Sequence, residues 1–508
     1  MAADVWSRFS NVVAGRPGEP ALITDEAVIS FAELRCAALH AAHDLAAAGA
    51  ARGERCVVWG DNSPELAVTL LGLQALGAIP ALVNADAPPA HFAHAAIIAD
   101  ARLAVVDGPR LGSAELDGAV LSIAQVGALG REASAPDCAA PAGGSEPASI
   151  LFTSGSTGPP KGVCQSHENL LWGADAVAAT VGLLQDDRIL CAIPWAFDYG
   201  WGQLLSTVLR GAAQILPGSR NPFAICAAIE ARRPTVLPAV PSLLASLTRG
   251  VSPIRDTDIG SIRLITNTGS RIPQSLFPEI LEVFPQAAIS LNYGLTETYR
   301  SASLPVELAR SRPTSVGRAI PGVSLAVVRE DGTEAAAGEE GEIVHRGSGV
   351  FLGYWGEPEK TALVRRPDPL WRGGGAAAPM AVFTGDLGWR DDEGLLYVRG
   401  RRDRQIKSMG VRVSPDEIEG LIHATDLVSE AAIVSRPHEM LGEMVVAVIV
   451  PRRIGENPTR ALQASAKATM SPFMRPMEWN LVDALPRTPS GKVDYPALKQ
   501  QFAGESRP

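Results

Sequence analysis

The run Thr153-Ser154-Gly155-Ser156-Thr157-Gly158-Pro159-Pro160-Lys161-Gly162 directly follows the β-like segment Ser149 to Phe152. At this density of glycines and small hydroxyl residues, backbone N–H groups and side chains can wrap a polyphosphate, with Lys161 as countercharge. Gly/Ser content alone equally fits a flexible surface loop. The run is not a Walker A loop, which needs Gly just before the Lys and Ser or Thr just after it, whereas Pro160 and Gly162 flank Lys161. Two carboxylates lie in turn-like blocks downstream: Glu297 in Asn292-Tyr293-Gly294-Leu295-Thr296-Glu297, and Asp386 in Thr384-Gly385-Asp386-Leu387. Taken alone, Asp386 reads as a structural turn residue. Lys492, in Pro489-Ser490-Gly491-Lys492, reads alone as a solvated surface charge.

The elements that must position these residues follow an α/β alternation. Helical stretches such as Phe31 to Ala48 separate short β-like runs at Cys56 to Trp59 and Ala104 to Val106. The pattern continues through Gln214 to Leu216, Thr235 to Leu237, Leu264 to Thr266 and Ala288 to Leu291, which predicts a doubly wound, largely parallel sheet. From about Val316 short alternating runs such as Ser324 to Val328, Glu342 to His345 and Leu395 to Arg399 predict a smaller β-rich lobe. Arg365 to Met380, with Gly373, Gly374 and Gly375, reads as a mobile surface loop. Past Gly400 an αββα-like remainder predicts a small, mobile α+β C-terminal domain, dividing the chain into 1–400 and 401–508.

A chain of 508 residues, 46% hydrophobic and 20% charged, can bury a large core and is not a disordered chain. Its net charge of -10 argues against electrostatic attraction to nucleic acid or to an acidic membrane face. The six cysteines are scattered with no C-x-x-C pair, so neither a zinc site nor a disulfide framework is expected. With no leader-like start and no long apolar run, the expectation is a cytoplasmic protein.

The phosphate-like loop closely resembles that of the adenylate-forming superfamily, which includes acyl-CoA synthetases, luciferases and adenylation domains of nonribosomal peptide synthesis. Further blocks resemble the family's, in the family's order: Asn292 to Glu297, Gly341-Glu342-Ile343 through Gly353-Tyr354-Trp355, Thr384 to Leu387, Gly400-Arg401-Arg402-Asp403, and Pro489 to Lys492. Adenylating a carboxylate requires in-line attack on the α-phosphorus of ATP, with the growing charge neutralised by cations. The resemblance implies ATP and Mg2+ as cofactors, with Thr153, Ser154, Gly155, Ser156, Thr157, Gly158 and Lys161 around the β- and γ-phosphates. It implies Glu297, beside Thr296, as the Mg2+ ligand. Adenine is then expected near Gly269, Ser270, Asn292, Tyr293 and Gly294, and the ribose hydroxyls on Asp386 with Arg401 nearby. Lys492 becomes the catalytic cation, Asp403 the hinge of a rotating C-terminal domain, and Gly410 the close-approach point of a pantetheine arm.

Pro194-Trp195-Ala196-Phe197-Asp198-Tyr199-Gly200 matches the block where amino-acid-activating members carry Phe-Asp, the Asp pairing with the substrate ammonium. The alternative is an Asp capping a helix that starts near Tyr199. The resemblance places Tyr199, Gly202, Ala239, Thr266, Thr268, Asn292, Arg300 and Ser301 around the acid. Arg300 either grips a second carboxylate, as in aspartate-like or β-amino dicarboxylates, or points outward or pairs with Glu307. The resulting expectation is a stand-alone AMP-forming ligase for a small carboxylic acid, most simply an amino acid. It would pass the acyl group to the phosphopantetheine thiol of a separate carrier protein. The alternative acceptor is free CoA, and the non-enzymatic alternative is a silent nucleotide-binding scaffold.

Overall fold

A computed structural model describes residues 4–130, 142–153, 160–373, 377–409, 411–438, 442–453, 455–488 and 492–502. Local signals start and stop the inner helices where the sequence places them. Ser30 and Glu33 form a reciprocal capping box at the head of the helix Phe31–Ala47. Ser63 accepts from Leu66 N–H ahead of the helix Pro64–Leu76, and Gly77 ends it at φ 67°. That second helix is buried on every face from Leu66 onward, so it must lie inside the molecule.

Two large sheets enclose it. One has nine strands, with Val236–Ala239, Leu264–Asn267 and Ala288–Tyr293 adjacent and parallel. The other has seven strands, with Arg55–Gly60, Ile79–Asn84 and Pro147–Thr153 parallel at its centre. One continuous core, including Leu22, Leu34, Leu70, Leu151, Cys191 and Leu205, joins strands of both sheets to the helices between them. The doubly wound expectation holds, and a five-stranded sheet built on Val323–Val328, Gly341–Gly347 and Met380–Arg390 forms the smaller β-rich lobe.

Two expectations need correction, and the phosphate-like loop gains a second strand. The phosphate-like loop joins two antiparallel strands, Pro147–Thr153 and Lys161–Ser166, with Thr153 opposite Lys161. The second strand is buried on both faces past Lys161, so it shows no polar alternation by which to find it. The segment from Arg365 to Met380 is anchored at both ends, because Arg365–Pro367 pairs with Met380–Arg390. The C-terminal part is more than αββα. It opens with the hairpin Ile406–Ser408 and Val411–Val413 and adds a strand, Glu478–Leu481, parallel to Gly442–Pro451. Its own core includes Ile418, Ile433, Ala447 and Leu462. The proposed boundary at 400/401 falls at the end of the strand Leu396–Arg401. Among the described residues, no helix is long and apolar enough to cross a membrane.

Candidate active site

Ligand sites in open α/β sheets gather where parallel strands end, and the nine-stranded sheet follows that rule. Ala239, Thr266, Thr268, Gly269, Asn292 and Tyr293 all sit at or just past the C-terminal ends of three adjacent parallel strands. Asn292 donates its amide to the carbonyls of Asn267 and Ser290, both at 3.1 Å, which ties the two strand ends together. Thr268 is buried and donates to Asn292 O at 3.4 Å. A Cβ on Gly269, which sits at φ 87°, would lie in ordinary contact with Val240 Cγ1 at 3.8 Å and Lys492 Cε at 4.0 Å. Lys492, exposed and held by the backbone bond from Thr488 N–H to its carbonyl (2.8 Å), thus reaches the large domain's strand ends. Ser270 beside Gly269 is exposed.

Tyr354 joins two of the expected phosphate and metal residues. Its hydroxyl donates to Glu297 Oε1 at 2.7 Å, and Lys161 Nζ stands 4.8 Å from its ring centre. The second Glu297 oxygen makes no protein hydrogen bond among the described residues. Mg2+ is usually held by one or two carboxylates together with substrate phosphates, so a lone available carboxylate beside Lys161 fits that ion. No cluster of three or more His, Cys, Asp or Glu suited to a metal occurs among the described residues. Thr153 and Lys161 face each other at the base of the hairpin, Pro160 O meets His94 Nε2 at 2.8 Å, and Thr296 O accepts from Gln165 Nε2. Ser154, Gly155, Ser156, Thr157 and Gly158 lie outside the described residues, as does Gly410.

Asp386 is buried in the strand Met380–Arg390 and accepts from Tyr293 Oη at 2.6 Å, with Arg401 Nη1 at 3.5 Å. Burial pushes its carboxyl up to about 6, against the pull of Arg401 and the Tyr293 bond. Burial also works against the Arg401 charge, but Asp386 and Asp403 outweigh it and raise its pKa. A desolvated carboxylate with spare acceptor capacity suits a vicinal diol. Asp403 lies in the single turn Arg402–Arg404 after the strand Leu396–Arg401 and pairs with Arg401 at 3.3 Å.

Asp198, Tyr199 and Gly202, expected around the acid, lie on the helix Asp198–Arg210. Phe197 is its N-cap, so Asp198 is the first helical residue and makes no capping bond. The capping alternative is therefore wrong, because the helix starts one residue earlier than expected. Asp198 is half-buried and without an ion pair among the described residues. Tyr199 donates to Thr266 O at 2.7 Å, which fixes its ring across the strand end, and burial raises its pKa. Arg300 is buried and forms no pair with Glu307, so the outward-facing alternative also falls. Ser301 does not serve the pocket, because its hydroxyl meets His345 Nδ1 at 2.9 Å and Thr298 Oγ1 at 3.0 Å.

Sequence reasoning missed Tyr354 and Tyr299. Tyr354 lay in plain view in the block Gly353-Tyr354-Trp355, with nothing to say which way its hydroxyl points. The Tyr299 ring packs against Gly173 and Gly202 of two neighbouring helices: a Cβ on Gly173 would lie 2.5 Å from the ring, and one on Gly202 3.1 Å from its hydroxyl. Gly202, expected as a lining residue, thus makes room for Tyr299. No local pattern links positions so far apart in the chain.

Comparison with known proteins agrees with this geometry. The AMP-binding enzyme family model matches residues 9–355, and the model of the AMP-binding enzyme C-terminal domain matches residues 417–492. The chain is 31% identical to an indoleacetate–CoA ligase of Aromatoleum aromaticum, over 96% of each chain. It is 31% identical to a 2-succinylbenzoate–CoA ligase of Geobacillus kaustophilus, over 93% of this chain and 92% of that one. The ATP-bound structure of MatB from Rhodopseudomonas palustris superposes with a TM-score of 0.88 at 27% identity, over 99% of each chain. The MatB structure holds ATP, in line with the nucleotide expected from the sequence. The chain belongs to the AMP-binding, adenylate-forming enzyme family, as an AMP-forming acid–thiol ligase.

Proposed function

We propose that this enzyme activates a small carboxylic acid as its acyl adenylate and transfers the acyl group to the thiol of CoA, in the cytoplasm. The observation that carries the reading is the convergence of Lys492, Gly269, Asn292 and Asp386 with the Glu297–Tyr354–Lys161 group around one set of strand ends. Asp386 and Arg401 would hold the ribose, and Glu297 would hold Mg2+, which supplies charge neutralisation at the phosphates. Thr153 and Lys161 would flank the β- and γ-phosphates. Lys492 would place an ammonium between the acid's carboxylate and the phosphate it attacks.

The sequence alone leaned toward a carrier protein as acceptor, a lean that rested on the Phe-Asp block. Relatives of matching length that act as CoA ligases support free CoA better. The test offers ATP, Mg2+ and an acid panel with either CoA or candidate holo-carrier proteins. Acyl-CoA formed together with AMP and pyrophosphate supports the reading, and loading of a carrier with no CoA product would overturn it.

Asp198 favours an acid with an ammonium group, because a half-buried carboxylate at a pocket mouth with no protein partner is best paired by its ligand. Asp198→Asn is expected to raise KM for the best amino acid by about 2 kcal/mol equivalent, near 30-fold, while KM for ATP stays put. An unchanged amino acid KM would show that recognition does not run through an amino group here.

A further inference from the structure

Arg300 places a positive charge in the acid pocket that feels the Asp198 carboxylate at a distance but forms no ion pair among the described residues. The residue is only 5% exposed, its Nε has no hydrogen-bond partner, and no carboxylate among the described residues pairs with it. Its Cζ stands 5.8 Å from the centre of the Tyr199 ring. Burial lowers its pKa, with Tyr199 and Asp198 acting the other way. Buried guanidinium groups are normally paired, so an unpaired one is a standing cost to the fold.

The surroundings repeat the pattern. Tyr299 Oη and Ser206 Oγ are buried close to one another, with no other partner among the described residues. Arg300 shares a small cavity with Gln203 and Thr266, whose remaining wall includes Val177, Val181 and Leu183. The backbone is bent to bring the arginine here. Tyr299 sits at φ 57°, and Arg300 N–H bonds Thr298 O at 2.6 Å across it, closing a three-residue turn. A bulky residue at positive φ is strained, and such strain gathers at ligand clamps. Gly294 accepts the close approach of this turn, since a Cβ there would lie 2.9 Å from Arg300 Cα.

We propose that Arg300, with Gln203 beside it, is a subsite for a second carboxylate, so that the acid activated is a dicarboxylic acid or its amino derivative. The planar guanidinium fork matches a carboxylate in a way no neutral tail does. Asp198, nearby in the same pocket, adds a place for an ammonium group, which makes an acidic amino acid the fullest match. This rests on the ligase reading above.

The experiment is ATP–pyrophosphate exchange by the full chain on matched acids: glutarate, its monoamide and valerate, and glutamate, glutamine and norvaline, with aromatic and fatty acids as controls. In each set the dicarboxylate is expected to exceed the other two by about 100-fold or more in kcat/KM. Arg300→Met is expected to erase that preference and, without substrates, to keep or raise Tm because it removes an unpaired buried charge. Added on top of ATP, the dicarboxylate should raise wild-type Tm further and add nothing to the Tm of the variant. If the variant does not fold, the wild-type sets decide alone. Equal or better exchange with valerate, norvaline or the controls would overturn the subsite while leaving the ligase reading intact. An amide matching its acid would replace the carboxylate by a neutral acceptor and overturn the proposal in that form. No exchange with any acid would overturn the ligase reading and the subsite with it.

Discussion

Lys492 and Asp386 show how little of a residue's role lies in its type. Lys492 is exposed and would pass for a surface charge, yet its Cε lies 4.0 Å from where a Gly269 Cβ would be. Lys492→Ala is expected to slow adenylate formation by about 10³-fold. Conversion of supplied acyl adenylate to thioester should fall far less, because the proposed rotation about Asp403 carries the lysine away for that step. Equal losses in both half-reactions, measured separately, would rule out the rotation. Asp386 sets a pH response. Its folded pKa of about 6 lies above the ordinary aspartate value, so the folded state holds the proton more tightly than the unfolded chain does. Stability from this group is present below the unfolded value and is lost as pH rises through about 6. Nucleotide binding runs the other way, since the ionised form accepts the ribose hydroxyls. KM for ATP should therefore rise about 10-fold from pH 7 to pH 5, and Asp386→Asn should flatten that profile.

At the scale of elements, the strand and helix pattern of the large domain was legible because apolar runs and caps are local. The blocks around Glu297, Asp386 and Lys492 were legible through family resemblance, since no spacing links residues so distant. What stayed hidden was set by tertiary packing: the doubly buried strand Lys161–Ser166, the side chain of Ser301 turned toward His345, and Tyr299 between two helices. The helix Pro415–His423 offers another such case. It carries half-buried Glu419, which accepts from Tyr495 Oη at 3.0 Å and from Arg404 Nη2 at 2.9 Å. Burial pushes its carboxyl up to about 7. Arg404 follows the proposed hinge residue, and Tyr495 lies three residues past Lys492, so one carboxylate joins hinge to lysine loop. Glu419→Ala removes one of the two carboxylates that hold Arg404, Asp416 being the other, at a cost of about 2 kcal/mol to the small domain. Faster hydrogen exchange in the strand Val428–His438, with a lower adenylation kcat and an unchanged KM for ATP, is the expected outcome.

Across the whole molecule, few ionic contacts among the described residues hold the arrangement that brings Lys492 to the strand ends. Arg452 reaches Glu279 at 3.1 Å, and Arg399 reaches Glu417 at 2.8 Å. Pairs exposed to this degree contribute about 0–1 kcal/mol each and are screened by salt. An interface held so lightly can come apart within a catalytic cycle. Adenylation should therefore slow about 3-fold between low and high salt, and Arg452→Ala should show a smaller response. Identical salt profiles for wild type and variant would remove Arg452 from this role.

The Tyr299 ring, seated in the notches left by Gly173 and Gly202, is in effect a removable plug. Its backbone already adopts the φ of 57° that glycine takes at no cost. Tyr299→Gly would thus vacate a phenol-shaped hollow without straining the turn that presents Arg300. An acid bearing a matching aromatic branch would fit the altered enzyme and clash with the natural one, giving an orthogonal enzyme–substrate pair for labelling a single thioester among many.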